Sequence, residues 1–312
     1  MDIGVGLVGF GAAGRRHQNA LEGESFAHVR AVIDADPTVD TGGLRRVAGW
    51  DGLLADPGVR LVSLCLPPGG RAVLVAQALE AGKAVLVEKP PAVSVAELDH
   101  LLDLADKHRQ PIGVVLQHRQ AIPEDVRGWD WSGASGVLQV SRYQSPARLA
   151  RADWRRDPVV ASGGVVAHLG VDYLDLACQL LGEPGAVRLA GRREHAAGID
   201  SRVVGTVEFA GGAVLALMVT GESTAQVEFL EVLGADRRLR VHNGAVTVDD
   251  RGRIEDRPAL GGRRLLAEVY RDLAEAVATG GEPGRFGLRR ARAVTGILEQ
   301  VAAVPGRAVR SR

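Results

Sequence analysis

Hydrophobic and polar positions follow two different rhythms along this chain. In the first, short apolar runs alternate with helical periods. Ile3 to Val8 predicts a strand, Gly14 to Glu22 a helix, and Val29 to Asp34 a second strand. Val62 to Leu66 reads as a strand, Arg71 to Ala81 as a helix and Ala84 to Glu88 as a strand. Val95 to Lys107 follows as a helix and Ile112 to Leu116 as a strand. Strands separated by helices need crossover connections, which set the strands parallel in one sheet with helices on its faces.

The rhythm changes near residue 119. Val137 to Ser145 reads as a strand, and a helix led by Gly163-Gly164 runs to residue 181. From 187 to 249 apolar and polar residues alternate with the period of half-buried strands. Gly211-Gly212 separates Val203–Phe209 from Val214–Val219, a hairpin of an antiparallel sheet. Helical periods return at 262–279 and 287–304. Two domains are expected, 1–118 and 119–312, with the C-terminal helices free to pack back on the first.

Composition narrows the function classes. The 38 basic and 38 acidic side chains cancel, so no global field draws nucleic acid or an anionic membrane surface. Cys65 and Cys178 each lie in an apolar run and cannot make a disulfide framework, which fits free thiols in a reducing cytoplasm. The N-terminus lacks a basic n-region, and no apolar stretch reaches about 18 residues, so neither a signal peptide nor a membrane span is expected. No His/Cys/Asp/Glu set has metal-ligand spacing, so no metal is expected. The basic residues are also lopsided: 35 are arginine, and the lysines are only Lys83, Lys89 and Lys107.

The first strand ends in Gly9-Phe10-Gly11-Ala12-Ala13-Gly14, and a helix follows. In this setting Gly9 permits a tight turn, Gly11 the close approach of a pyrophosphate, and Gly14 close packing of helix on strand. Asp34, at the end of the second strand, is placed to accept hydrogen bonds from an adenosine ribose and to repel a 2′-phosphate. Ala35-Asp36-Pro37 offers no compensating cation, which favours NAD, while Arg15 and Arg16 leave NADP open.

Three further segments carry a more specific signal. They are Leu66-Pro67-Pro68, the run Ala78-Leu79-Glu80-Ala81-Gly82-Lys83-Ala84-Val85-Leu86-Val87-Glu88-Lys89-Pro90, and the helix beginning at Gly163-Gly164. With the glycine loop they resemble, nearly end to end, the glucose–fructose oxidoreductase, inositol dehydrogenase and rhizopine-catabolism (Gfo/Idh/MocA) family. The resemblance implies an α/β fold: an N-terminal Rossmann dinucleotide-binding domain and a C-terminal α/β domain with a large, mostly antiparallel sheet. That sheet would join copies into a homodimer or homotetramer. Leu66, Pro67 and Glu88 would line the dinucleotide, and Lys89 would sit beside the nicotinamide. The chemistry agrees, because a hydride leaving or entering a carbinol carbon needs a partner for the hydroxyl proton. A lysine can be tuned to that task, whereas an arginine stays charged.

The pattern also departs from the family. Its Gly-Gly helix commonly carries D-x-G-x-H-x-x-D, whereas here the frame reads His168-Leu169-Gly170-Val171-Asp172-Tyr173-Leu174-Asp175. His168 and Asp172 have exchanged places. On a helix, 168, 172 and 175 share one stripe, so Asp172 could orient His168, or face substrate alone while Lys89 moves the proton. The two could also be a satisfied polar pair with no catalytic part. Tyr173 is a weaker proton-donor candidate.

Pro67-Pro68-Gly69-Gly70-Arg71 replaces the family's Pro-Asn and nearby His. Arg119, after His118, falls where the family presents an arginine to substrate. Trp154-Arg155-Arg156 resembles the segment entering the catalytic helix, and with Arg142, Arg148 and Arg151 against Asp153 it forms either an anion-binding cluster or a solvated face. The expected activity is hydride transfer between NAD (or NADP) and a secondary alcohol or ketone of a sugar, cyclitol or nucleotide-sugar-like substrate. The rivals are transient NAD redox serving epimerisation or elimination, and an inactive dinucleotide or sugar sensor.

Overall fold

Strands β1 (Ile3–Val8), β2 (Ala27–Ile33), β3 (Val59–Leu64), β4 (Ala84–Val87) and β5 (Ile112–Val114) form one sheet in the order β2-β1-β3-β4-β5. Every pairing in it is parallel. Helices α1 (Ala12–Leu21), α2 (Trp50–Ala55), α3 (Arg71–Glu80) and α4 (Val95–His108) supply the crossovers. The computed structural model describes residues 2–145 and 154–308, so Arg148, Arg151 and Asp153 lie outside the described residues.

This Rossmann unit is not one continuous stretch. It comprises residues 1–92, 96–117 and 261–291. The late helix Gly262–Thr279 buries Leu266, Val269, Tyr270 and Leu273 at helical spacing. They join Ile3, Val5, Leu7 and Leu86 of the sheet in a single apolar cluster. Contact is close because β5 carries Gly113, where a Cβ would lie 2.3 Å from the Leu273 side chain. The first sheet thus takes its last cover from residues 261–291.

The second unit comprises 93–95, 118–260 and 292–312. Its strands are β6 (Ser135–Ser141), β7 (Pro184–Ala196), β8 (Ile199–Phe209), β9 (Val214–Thr220), β10 (Val227–Leu233), β11 (Arg237–His242), β12 (Ala245–Asp250), β13 (Arg253–Arg257) and β14 (Arg307–Ala308). They lie in the order β13-β12-β11-β10-β6-β9-β8-β7-β14. Among the described residues only β6–β9 and β7–β14 pair parallel, so the sheet is mostly antiparallel. β8 and β9 are the hairpin read from Gly211-Gly212, closed by Phe209 N–H donating to Ala213 O at 2.9 Å.

The helix expected over 163–181 is interrupted. A short helix, Pro158–Ala161, ends at Ser162, and Gly163 takes φ +112°. A π-helical turn over Val166–Gly170 then leads into an α-helix, Val171–Leu181. By length and composition Pro158–Leu181 could cross a membrane, contrary to the reading that no stretch qualifies. However, 61% of its apolar window is buried in the fold, as in the core helix of a globular unit.

Candidate active site

The glycine loop divides its labour among three residues. Gly9 has φ +88°, and a Cβ there would lie 2.8 Å from Cys65 O. A Cβ on Gly14 would lie 2.2 Å from Gly9 O, so the helix can approach β1 only without a side chain there. Around Gly11 nothing lies within 4 Å of a built Cβ. Gly11 also caps α1, with no side chain capping it and no acid in the first turn. The result is an open cradle of helix N-terminal N–H groups, which fits a pyrophosphate. Ala12 is exposed and Ala13 half-buried in that first turn, whereas the Phe10 side chain is buried in the core. Phe10 therefore serves through its backbone, whose N–H donates to Asp34 Oδ2 at 2.6 Å.

Asp34 is held by that bond and by Asp36 N–H, which donates to Oδ1 at 2.9 Å. Its carboxylate is thus fixed at the end of β2, beside the loop. Besides Arg15, which the sequence singled out, Arg46 stands close, its Nη1 reaching Asp34 O at 3.5 Å. Arg46 donates to Val39 O at 2.8 Å and reaches Asp36 O at 3.3 Å, and Arg15 donates to Asp40 O at 2.8 Å. The carboxylate opposes a 2′-phosphate and the two guanidinium groups favour one. We expect Asp34→Ala to shift the NADPH-to-NADH ratio of dissociation constants at least about tenfold, some 1.4 kcal/mol, toward NADPH. Fluorescence titration of both cofactors measures it, and an unchanged ratio would show that Asp34 does not select.

Glu88 and Lys89 follow β4, and both are half-buried. Glu88 Oε1 meets His17 Nε2 at 3.2 Å and Arg16 at 3.5 Å, while Oε2 accepts the Lys89 N–H at 3.3 Å. Burial pushes the Glu88 carboxyl up, but His17, Arg16 and Lys89 outweigh it and hold it at about 2. His17 is itself buried, with Nδ1 2.6 Å from the Tyr270 hydroxyl and 3.1 Å from Ser63 Oγ. Leu66 and Pro67 are half-buried just beyond β3. Sequence reasoning missed His17 and Tyr270, because their link spans 253 positions and no local pattern signals it.

In the second unit, Asp200 sets the start of the interrupted helix. Its carboxylate accepts the N–H of Gly164 at 3.1 Å and of Val166 at 3.0 Å. A Cβ on Gly164 would lie 2.0 Å from Asp200 O, which explains the glycine. Asp200 was also missed, since an acid 36 positions downstream carries no local signal. His168 meets Trp154 edge-on, with centroids 5.5 Å apart, and the Arg155 guanidinium lies 4.4 Å over the same ring. Three of the expected residues are therefore one stacked group. His168 and Asp172 are half-buried.

The π turn over Val166–Gly170 breaks the regular helical period between His168 and Asp172, and Asp175 is fully buried. Two expectations are corrected here. Arg119 does not face outward for substrate. It is fully buried, and its Nε and Nη2 each donate to Asp175 at 2.7 Å. Tyr173 is 1% exposed against His118, and burial followed by the Glu228 charge pushes its phenol far above the ordinary range. It is a core side chain and a poor proton donor.

Comparison with known proteins agrees with this architecture. Residues 3–116 match the oxidoreductase family with NAD-binding Rossmann fold, and residues 115–240 match the GFO/IDH/MocA C-terminal domain. A dTDP-3,4-didehydro-2,6-dideoxy-alpha-D-glucose 3-reductase of Streptomyces violaceoruber is 32% identical, over 78% of this chain and 68% of its own. D-xylose 1-dehydrogenase (NADP(+)) 2 of Haloferax volcanii is 28% identical, over 75% of this chain and 74% of its own. The solved structure of a levoglucosan dehydrogenase with NADH and L-sorbose superposes with a TM-score of 0.84, covering 96% of both chains at 18% identity. A glycine cradle, an Asp-tipped second strand, a Glu-Lys-Pro turn and a nine-stranded second sheet thus occur together in one chain, which belongs to the Gfo/Idh/MocA family of NAD(P)-dependent oxidoreductases.

Proposed function

We propose that this enzyme transfers hydride between NAD and a secondary alcohol or ketone of a sugar, cyclitol or nucleotide-sugar-like substrate, with Lys89 as the acid/base group. Strand order carries the reading. In β2-β1-β3-β4, Asp34 ends β2 on one side of the glycine loop and Lys89 follows β4 on the other. Two strand spacings, about 10 Å, separate β1 from β4. An adenosine on Asp34 and a pyrophosphate on α1 therefore direct the other half of the dinucleotide toward Lys89.

When bound, the nicotinamide accepts or returns the hydride. Lys89 takes the hydroxyl proton during oxidation and gives it back during reduction. His168 and Asp172 are second choices for that proton, and Trp154 and Arg155 are candidates for substrate contact. The sugar reductase and dehydrogenase relatives support the substrate class. On the open face of the nine-stranded sheet, Val137, Val204, Val214 and Leu233 are exposed, which supports assembly of copies through that sheet. The two free thiols support a cytoplasmic setting.

The test is a panel of levoglucosan, D-xylose, myo-inositol and UDP-N-acetylglucosamine, each with NAD or NADP. Reduced cofactor accumulating in step with ketone or lactone is the expected result for at least one class. Substrate conversion with no net cofactor change would replace this reading with transient redox. Tight NADH binding with no conversion of any panel member would favour a sensor.

A further inference from the structure

Arg71 is the first residue of α3, directly after Gly70 at φ +78°. A cation at a helix N-terminus is opposed by the helix dipole, and no acid occupies that first turn. The side chain nevertheless turns inward, where it is only 3% exposed. Burying a charge is costly unless polar groups close around it. Here they are carbonyls from two separate loops. Nη1 donates to Leu66 O at 3.4 Å, while Nη2 donates to Pro90 O and, at 3.2 Å, to Pro91 O. Burial lowers the guanidinium to about 10, so it stays charged at neutral pH.

Those carbonyls bracket the residues expected at the dinucleotide. Leu66 lies just beyond β3, and Pro90 and Pro91 immediately follow Lys89. Neither proline has an N–H to tie its turn to the sheet. On the other side of Lys89, Glu88 is fixed by His17 and accepts the Lys89 N–H. Lys89 thus sits between two anchors, a carboxylate bound to α1 and a guanidinium rooted in α3.

We propose that Arg71 is the positioning residue of Lys89, tying the loop after β3 to the Glu-Lys-Pro-Pro turn and so fixing where the ammonium group is presented. The proposal rests on the acid/base reading of Lys89. It assigns Arg71 no contact with the reacting atoms. Its planar fork suits the task, since it spans several acceptors at once and keeps its charge.

The scarcity of lysine makes the test direct. Lys83, Lys89 and Lys107 can each be followed by mass spectrometry during competitive acetylation of the whole protein, with no substrate required. In folded Arg71→Met the rate at Lys89 relative to Lys107 should rise at least threefold, with NADH affinity within about threefold of the parent. Arg71→Lys, which keeps the charge, should recover part of the parental Lys89 ratio, its new amine lying in a different peptide. With any substrate found in the panel, kcat in Arg71→Met should fall about tenfold to a hundredfold, as misplacement of a reacting group does. KM should change much less.

An unchanged Lys89-to-Lys107 ratio in folded Arg71→Met would overturn the proposal. Should that variant not fold, Arg71→Gln, which keeps one donor to the carbonyls, is judged by the same ratio and the same limit. Full turnover in Lys89→Met would overturn the reading of Lys89 instead, and it would leave the labelling result as a measure of the clamp alone.

Discussion

Lys89→Met should slow hydride transfer by about two to four orders of magnitude, the usual worth of a positioned acid/base group. NADH should still bind within a few-fold, because the Gly9–Gly14 cradle and the fixed carboxylate of Asp34 are untouched. Methionine keeps most of the length of the lysine stem and removes the proton-carrying nitrogen.

Lys89→Arg separates this account from a structural ion pair with Glu88. Guanidinium would restore an ion pair, but it cannot release a proton in the working range, so Lys89→Arg should remain as slow as Lys89→Met. Recovery of the parent rate in Lys89→Arg would assign Lys89 to structure. Retention of that rate in Lys89→Met would remove it from catalysis altogether.

The second large effect concerns stability. Arg119 and Asp175 form a fully buried, two-point ion pair, reinforced by Gln179 Nε2 donating to Asp175 at 3.3 Å. Asp175→Leu leaves a buried guanidinium without its carboxylate, and such a change costs about 3–5 kcal/mol. That is a large part of the roughly 5–15 kcal/mol that holds a typical domain folded. Arg119→Met with Asp175→Leu removes both charges together, and it should cost much less than either single change. Urea unfolding followed for the second unit, arranged as a double-mutant cycle, measures the coupling. Additive single effects would show that the pair contributes nothing as a pair. Because Asp175 sits in the same helix as Asp172, the single variants should also disturb the segment that carries His168.

Much of the first unit was legible because its signals are local. A six-residue apolar run became β1 with the predicted bounds, and Gly9 and Gly14 have the steric reasons expected of them. The hairpin at Gly211-Gly212 was visible for the same reason. Features set by distant partners were not. Arg119 in sequence could as well face substrate as seek Asp175, and only the fold brings those 56 positions together. Arg46 lies 12 positions from Asp34, beyond the short window in which a compensating cation was sought. The π turn between His168 and Asp172 was not legible either, because a uniform helical period cannot reveal it.

The return of residues 261–291 to the first sheet has a consequence for synthesis. A ribosome finishes β5 long before it makes Tyr270, Leu273 and Phe286, which complete the apolar cluster over β1, β3 and β4. At roughly 5–20 residues per second, the nascent sheet waits on the order of 10 to 35 s for that cover. Throughout the interval it keeps an uncapped apolar face while β6 to β13 of the second sheet emerge. His17, which meets Glu88, meanwhile lacks its Tyr270 hydroxyl partner. The dinucleotide cradle is encoded first and finished last, so the growing chain has most need of chaperone shelter midway through its elongation.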